Sequence, residues 1–222
     1  MLKVLKEFCK NYKALTAMFF YMIIYLICFQ YLEQRECAYH VIHFGIDAYI
    51  PFCEYFVIPY FLWFAYVALS VIYFGMKDQE EGNKLIAFLM IGMTVFIVVS
   101  ALFPNGHNLR PKTFARDNVC VRLVKWLYTI DTSTNVVPSI HVYNSIAVMI
   151  AVVRTKCLKK HPVIKGSMLL LGAAIICSTV LIKQHSMLDV CTAVILSALV
   201  YTICYRDEYA AHRHKEMVKI KY

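Results

Sequence analysis

Two histidines in the second half of the chain stand in sequence settings that suit group transfer. Asp189 follows His185 by four residues, and on a helix this spacing places a carboxylate beside an imidazole, where it can hold one ring N–H. The other ring nitrogen is then a free base that can act as a nucleophile. His141 follows Pro138 and Ser139, two residues typical of a helix N-terminus, where free N–H groups attract an anion. Beside such an anion, His141 is placed to donate a proton.

Two basic residues accompany these histidines. Arg110 lies in the longest connection between apolar runs, residues 104–138, and connections of that length tend to be functional. Lys183 stands two residues before His185, and side chains at that spacing do not face the same way on a continuous helix. We therefore expect the helix to end or turn between Lys183 and His185.

The elements that must position these residues are membrane helices. The chain is 60% hydrophobic and only 17% charged, well below the roughly 25% charged of soluble domains. Crossing a bilayer takes about 20 residues, and apolar runs of about this length lie around 14–31, 51–75, 85–103, 139–153, 166–182 and 187–205. The fourth run is the shortest, and its polar start, Ser139 to Asn144, has to lie buried among protein. The sequence therefore predicts an all-α fold, a polytopic membrane helical bundle with about six transmembrane helices that forms a single domain over residues 1–222.

The basic residues predict how the bundle is oriented. Although the formal net charge is +9, Lys and Arg lie between the apolar runs and not on one soluble face, so the charge indicates orientation in the bilayer and no nucleic-acid binding. A cytoplasmic N-terminus places most of the 23 Lys and Arg on the inner side, and an even number of helices returns the C-terminus there. The candidate residues then share the outer face of an integral cell membrane protein. Between them, Val119–Ile130 has the pattern of a helix that lies in the membrane interface.

In this order the motifs resemble the signature of the type 2 phosphatidic acid phosphatase superfamily, which reads KxxxxxxRP, PSGH and SRxxxxxHxxxD. Arg110-Pro111 resembles the end of the first motif, Pro138–His141 the second and Ser178–Asp189 the third. Longer similarity points to the branch that includes inositol phosphorylceramide synthases and related bacterial membrane phosphatases. It is carried by three stretches, Ile50–Trp63, Asp131–Val142 and Ile182–Val190.

The resemblance implies a mechanism and a substrate class. His185 would attack phosphorus and form a phosphohistidine, Asp189 would orient His185, and His141 would protonate the departing alkoxide, with no metal and no cofactor. The substrate would be a lipid phosphomonoester or pyrophosphate, and the alternative to hydrolysis is transfer of the phospho-headgroup to an acceptor hydroxyl. The phosphate would be held by Arg110, Ser139, the N–H groups near Ile140 and Lys183.

Three positions depart from the signature. Phe103 stands where the first motif has Lys, Ile140 where the second has Gly and Thr179 where the third has Arg. Two phosphate-binding cations of the broad family are therefore missing, and we expect Lys183 to restore one positive charge. Loss of activity is one alternative that follows from these departures.

Two interpretations of other classes compete with a phosphatase. A zinc hydrolase would use His141, His185 and Asp189 as ligands, but Arg110 and Lys183 would then repel the metal ion. A transporter or scaffold would also bury polar residues, but it has no need of a nucleophile and a proton donor beside anion-binding groups. The sequence favours a metal-independent phosphoric ester hydrolase or a related phosphotransferase.

Overall fold

The structure, a computed structural model, describes residues 11–206, and this part of the chain is mainly helical. The α-helices within it are α1 Lys13–Gln34, α2 Val57–Lys77, α3 Gln79–Leu102, α4 Val119–Ile130, α5 Ile140–Arg154, α6 Pro162–Leu181 and α7 Met187–Cys204. Two short strands pair in parallel, β1 His40–Val41 and β2 Asn105–Gly106. Two 3-10 turns precede α2, Gly45–Ala48 and Glu54–Phe56. The predicted all-α membrane bundle is confirmed.

Five helices of the described range are long and apolar enough to cross a membrane: α1, α2 with the turn before it, α3, α6 and α7. Helix α5 is apolar but has only 15 residues, fewer than the roughly 20 that span a bilayer. The prediction of about six transmembrane helices included α5. The difference from the five long spans of the described range is therefore this one short helix. Its polar start is buried among protein, as the sequence requires, with Ser139 0% and Asn144 1% exposed.

Helix α5 lies at the centre of the bundle, in contact with α2, α3, α6 and α7. Val142, Tyr143 and Val148 are fully buried, and the Tyr143 hydroxyl donates a 2.8 Å hydrogen bond to the carbonyl of Phe88 on α3. The two helices approach this closely because position 92 of α3 is glycine: a Cβ on Gly92 would lie 1.9 Å from the Tyr143 ring. The start of α5 is thus held firmly where the candidate residues lie.

Large apolar side chains also cover the outside of the bundle. Among them Phe19, Ile27, Phe64 and Leu199 are exposed. So many exposed large apolar side chains are unusual on a soluble protein, and extensive apolar surface marks contact with a partner or a membrane. Together with the long apolar helices, it indicates that lipid surrounds the bundle.

The helix ends divide the bundle into two ends. The loop end carries the segments 35–56, 103–139 and 182–186, and every predicted site residue lies there. At the turn end the connections are short: Asp78 caps α3 and accepts a 2.8 Å hydrogen bond from the Thr155 hydroxyl. Which end faces the cytoplasm stays a prediction. The two termini, predicted to be cytoplasmic, fall in residues 1–10 and 207–222, outside the described range.

Candidate active site

The nucleophile candidate lies in a tight turn between α6 and α7. Lys183 has a φ of 55°, which reverses the chain direction after α6 ends. The carbonyl of Thr179 then accepts hydrogen bonds from the backbone N–H groups of Gln184 at 2.9 Å and His185 at 3.0 Å. The expectation that the helix ends or turns between Lys183 and His185 is confirmed.

His185 and Asp189 form the expected pair, but at a helix start and not along a continuous helix. Nδ1 of His185 lies 3.2 Å from Oδ2 of Asp189, and the same oxygen accepts the N–H of Ser186, the N-cap of α7, at 2.9 Å. His185 is 8% and Asp189 0% exposed. Because an ionised carboxylate can only accept, Nδ1 carries the proton and Nε2 keeps its lone pair. The geometry therefore leaves Nε2 of His185 as a free ring base, and its role as the nucleophile stays a prediction.

A second carboxylate, which the sequence prediction missed, anchors the same helix start. Asp47 accepts hydrogen bonds from the Ser186 hydroxyl at 2.6 Å, the Met187 N–H at 2.8 Å and the Phe44 N–H at 2.8 Å. Burial alone would raise the pKa of Asp47, but these hydrogen bonds outweigh it and lower the pKa below its usual value. Asp47 is therefore an ionised clamp on the first turn of α7.

The start of α5 meets this turn directly. Ser139 is the N-cap of α5, since its hydroxyl accepts the N–H of Val142 at 3.4 Å, as the sequence predicts. Its own N–H donates to the carbonyl of Asp189 at 3.3 Å. One residue into α5, the ring of His141 lies 5.7 Å from that of His185 between centroids. The two predicted catalytic histidines are therefore neighbours, within reach of one phosphate group.

The imidazole of His141 has aromatic neighbours. The ring of Tyr60 stacks on it with centroids 4.5 Å apart and planes at 25°, and the ring of Trp63 lies 4.2 Å away at 42°. Within residues 11–206, no protein group is hydrogen-bonded to the His141 ring nitrogens. Its orientation is set by ring contacts from α2.

Arg110 is held by the backbone of its own long loop. Nη2 donates to the carbonyls of Asp131 at 2.7 Å and Thr132 at 2.6 Å, and Nη1 to that of Tyr128 at 3.2 Å. Its guanidinium carbon lies 4.4 Å from the centre of the Tyr128 ring, and burial lowers the pKa of Arg110. Nε is buried without a protein partner in the described part of the chain. A clamp on two phosphate oxygens stays a prediction, and in this geometry it requires Arg110 to release at least one carbonyl.

Lys183 is likewise bound to carbonyls. Nζ donates to Asp47 O at 3.0 Å and to Ile50 O at 2.5 Å, in the segment just before α2. Burial lowers the pKa of Lys183. The side chain therefore ties the α6–α7 turn to this segment, and its role in phosphate binding stays a prediction.

A buried hydrogen-bond network behind the histidines includes residues that the sequence prediction missed. Oδ2 of Asp131 accepts the Tyr60 hydroxyl at 2.9 Å and Nε2 of Gln184 at 2.8 Å. Nε2 of His107 donates to the Gln184 carbonyl at 2.7 Å, because Nδ1 already accepts the N–H of Leu109 at 3.2 Å. Burial, with His185 close by, lowers the pKa of His107 to about 4, so the ring is neutral near pH 7. The position of His107, a polar residue three places before Arg110, was a signal that could have identified it.

A comparison with protein families fits this geometry. Residues 83–213, more than half of the chain, match the family model described as the PAP2 superfamily. This chain belongs to the PAP2 superfamily. The match contains Arg110, His141, His185 and Asp189, and it confirms the predicted type 2 phosphatidic acid phosphatase superfamily. PAP2 members are phosphoesterases, so the family supports phosphatase or phosphotransferase chemistry on phosphate esters. No curated protein and no solved structure matches the chain significantly.

The departures from the PAP2 signature have local structural roles. Phe103 caps the end of α3 and stacks on His40, with centroids 4.5 Å apart. Thr179 is fully buried, and its hydroxyl donates to the carbonyl of Ile176 at 2.8 Å. Ile140 is 7% exposed and packs in the main core. Two positions where the signature has a cation are thus occupied by uncharged residues, which leaves Arg110 and Lys183 as the predicted cations.

The zinc alternative finds no support in the ligand geometry. Among residues 11–206, no group of three or more His, Cys, Asp or Glu side chains is arranged to hold a metal ion. Nδ1 of His185 faces Asp189, and the ring of His141 contacts Tyr60 and Trp63. The three residues of the zinc alternative therefore form no such group.

Proposed function

We propose that this PAP2 protein hydrolyses a lipid phosphomonoester or pyrophosphate through a phosphohistidine on His185. The observation that carries the proposal is the pairing of an oriented nucleophile with a second imidazole. Asp189 fixes the tautomer of His185, and His141 lies 5.7 Å away between ring centroids. Two such groups at the start of a helix fit a reaction that needs both attack and protonation on a bound anion.

In the first step, Nε2 of His185 attacks the terminal phosphorus and the bond from phosphorus to the leaving oxygen breaks. His141 gives its proton to that oxygen, and the lipid leaves as an alcohol from a phosphomonoester or as a lipid monophosphate from a pyrophosphate. In the second step, water attacks phosphorus, the P–N bond breaks and His141 takes up the proton of the water. His185 leaves as a neutral imidazole whose Nδ1–H again faces Asp189, so the enzyme returns to its starting state.

Phosphoryl transfer spreads negative charge over the equatorial oxygens, so electrostatic stabilisation has to supply much of the rate. The Ser139 hydroxyl and the N–H groups near Ile140, with Arg110 and Lys183, are the proposed binding groups. Both cations now donate to backbone carbonyls. A phosphate is a stronger, charged acceptor than a carbonyl, and we propose that substrate binding draws these donors away from the loops.

The surroundings of the site support a lipid as the substrate. Helix α4 belongs to the loop end, and its buried face of Val121, Val124 and Leu127 packs on the site loops. Its other face exposes Trp126 and Ile130, which suits the interface between headgroups and acyl chains. A lipid that enters beside α4 would bring its phosphate to the depth of the two histidines.

Transfer to an acceptor hydroxyl is the second candidate, because it shares the phosphohistidine and differs only in the second step. The low exposure of His185, 8%, favours it, since bulk water has little access to the intermediate. The branch near inositol phosphorylceramide synthases would use this outcome.

One experiment tests both candidates. Purified protein in detergent is given a panel of lipid phosphates, with and without chelator, and both free phosphate and transfer products are followed. We expect free phosphate from at least one lipid, unaffected by chelator, and none from His185→Ala. His40→Ala, which removes an exposed imidazole at the same end, is the matched control and should retain activity. Activity that disappears with chelator and returns only with a divalent ion would refute the metal-independent scheme.

We also propose that the loop end faces the extracytoplasmic side, in line with the inner excess of basic residues. In a background without Cys37, a cysteine at the exposed position Asn108 should react with an impermeant reagent in intact cells. A cysteine at Lys160, exposed at the turn end, should react only after lysis. The reverse pattern would invert the topology.

A further inference from the structure

The ring contacts around His141 come from one face of α2. Tyr60 and Trp63 are three residues apart on that helix, a spacing that places side chains on the same side. Their centroids lie 4.5 Å and 4.2 Å from that of His141. We call these two side chains the aromatic bracket.

Tyr60 is fixed in place by a hydrogen bond, whereas the contacts of Trp63 are ring contacts. Tyr60 is 2% exposed, and its hydroxyl is held by Asp131 at 2.9 Å. Nε1 of Trp63 is buried without a protein partner in the described residues. A buried indole N–H usually has a hydrogen-bond partner, and here the contact of Trp63 with His141 is made by the ring alone.

A proton donor must be protonated before it acts, yet even the partial burial of His141 disfavours an imidazolium. An acidic partner would normally offset this effect, but within residues 11–206 no carboxylate is hydrogen-bonded to the His141 ring: Asp189 faces His185, and Asp131 accepts from Tyr60 and Gln184. Aromatic faces are negative and attract cations, most strongly in Trp and in sites away from water. We propose that Tyr60 and Trp63 are positioning residues whose ring faces bind the imidazolium form of His141 and hold it towards His185, an inference that rests on the proposed function.

Other titratable groups face His141 from the elements packed against it. His185 approaches from the α6–α7 turn and would oppose the imidazolium if it were itself charged. Asp189, at the start of α7, is directed at His185 and Ser186. Asp131 and Arg110 lie behind the Tyr60 hydroxyl, Asp131 as its acceptor and Arg110 on the Asp131 carbonyl. The aromatic bracket is thus the layer in direct contact with the ring.

The aromatic bracket lies outside the matched family region. The PAP2 match begins at residue 83, whereas Tyr60 and Trp63 belong to α2, which ends at Lys77. The bracket is therefore a feature of this chain that the family match does not describe.

The first test follows phosphoenzyme formation in a single turnover, from a lipid phosphate, as a function of pH. The rate should fall as pH rises through the pKa of His141, because the proton is then lost. This fall in rate is the alkaline limb of the pH profile. In Trp63→Leu the imidazolium is less stable, and the alkaline limb should move to lower pH by about half to one unit. With an aryl phosphate, whose leaving group needs no proton, the limb should be absent in both proteins. Trp126→Leu, which removes the other Trp of the chain, is the matched control and should leave the limb in place.

The second test changes the ring charge without changing its shape. In a Trp126→Phe background Trp63 is the only Trp, and fluorinated tryptophans can replace it during expression. Each added fluorine weakens the negative face, so the alkaline limb should shift stepwise with fluorine number. A limb that stays fixed across the series, even if Trp63→Leu lowers activity, would show that the bracket only packs and would overturn the inference.

A third measurement separates this inference from the proposed function. NMR titration of ¹³C-labelled histidine, with the His141 signal assigned from its loss in His141→Gln, gives the pKa of His141 without any substrate. We expect it to fall across the fluorinated series. If the pKa of His141 falls in a protein that forms no phosphoenzyme, the inference about the aromatic bracket is correct and the proposed function is wrong. If phosphoenzyme forms but the pKa does not move, the bracket alone is wrong.

Discussion

The two histidines of the site are neighbours with opposite surroundings. His185 is hydrogen-bonded to the carboxylate of Asp189, in a turn that is also hydrogen-bonded to His107 and to the backbone of Asp47. His141 instead lies against two aromatic rings. A nucleophile has to keep one tautomer through the reaction, and a carboxylate on Nδ1 does that. A proton donor has to gain and lose its proton, and ring faces favour the cation without fixing the proton on either nitrogen. The difference teaches that polar and apolar surroundings can each prepare the same side chain, for different tasks.

The comparison of the two histidines loses its functional meaning if His185 is not the nucleophile. His185→Ala should form no phosphoenzyme from any substrate, with turnover reduced by about 10⁴-fold or more. Acid-labile, base-stable radiolabel on the protein is the measurement. A folded His185→Ala protein that still takes up such label would move the nucleophile elsewhere, with His141 as the next candidate.

The Asp189→Asn variant tests whether the carboxylate sets the tautomer of His185. An amide at this position can donate to Nδ1 of His185, which favours the wrong tautomer and leaves Nε2 protonated. We expect a loss of about 10³-fold in phosphoenzyme formation, from lipid and aryl phosphates alike, since the nucleophile serves both. Equal rates in Asp189→Asn and wild type would show that the hydrogen bond at 3.2 Å does not orient His185 during the reaction.

His141→Ala should affect lipid phosphates and aryl phosphates differently, whereas His185→Ala should block the reaction of both. A lipid alkoxide is a poor leaving group, so loss of the proton donor should cost about 10²–10⁴-fold, whereas a nitrophenolate leaves without a proton. The variant should still form phosphoenzyme from an aryl phosphate, then release it slowly because water activation also needs His141. An equal block with both substrates would instead assign His141 to phosphate binding.

The smallest expected effect concerns His107, which supports the nucleophile's turn. A histidine in the unfolded chain has a pKa near 6.5, against about 4 for His107 in the fold. As pH falls from about 6.5 towards 4 the unfolded state takes up a proton that the folded state does not, so wild type loses stability over that window. His107→Gln keeps an N–H for the Gln184 carbonyl, and it should lose on the order of 2 kcal/mol less between pH 7 and pH 5.

Thermal unfolding in detergent measures this difference. His40→Gln is the matched control, since its ring is exposed, and it should show the wild-type loss. The same slope in His107→Gln and wild type would mean that His107 titrates in the folded protein as it does in the unfolded chain.

Hydropathy and local motifs were enough to predict the bundle, the Ser139 cap, the break after α6 and the His185–Asp189 pair. These depend on residues close in sequence. Tyr60 and Trp63 were not predictable as site residues, because an aromatic residue in an apolar run has the same pattern whether it contacts lipid or an imidazole. The carbonyl partners of Arg110 could not be predicted either, since they depend on how the long loop folds back.

The anchoring of the α6–α7 turn has a consequence for hydrogen exchange. The amides of Gln184 and His185 are both bonded to the carbonyl of Thr179 inside α6, and the carbonyl between them is bonded to His107. Neither amide can meet solvent unless the turn detaches from the bundle, so both should exchange as slowly as the core helices. If His185 is the nucleophile, as proposed, it cannot move out on such slowly exchanging backbone to meet its substrate, and a lipid substrate would have to diffuse within the bilayer to a fixed point.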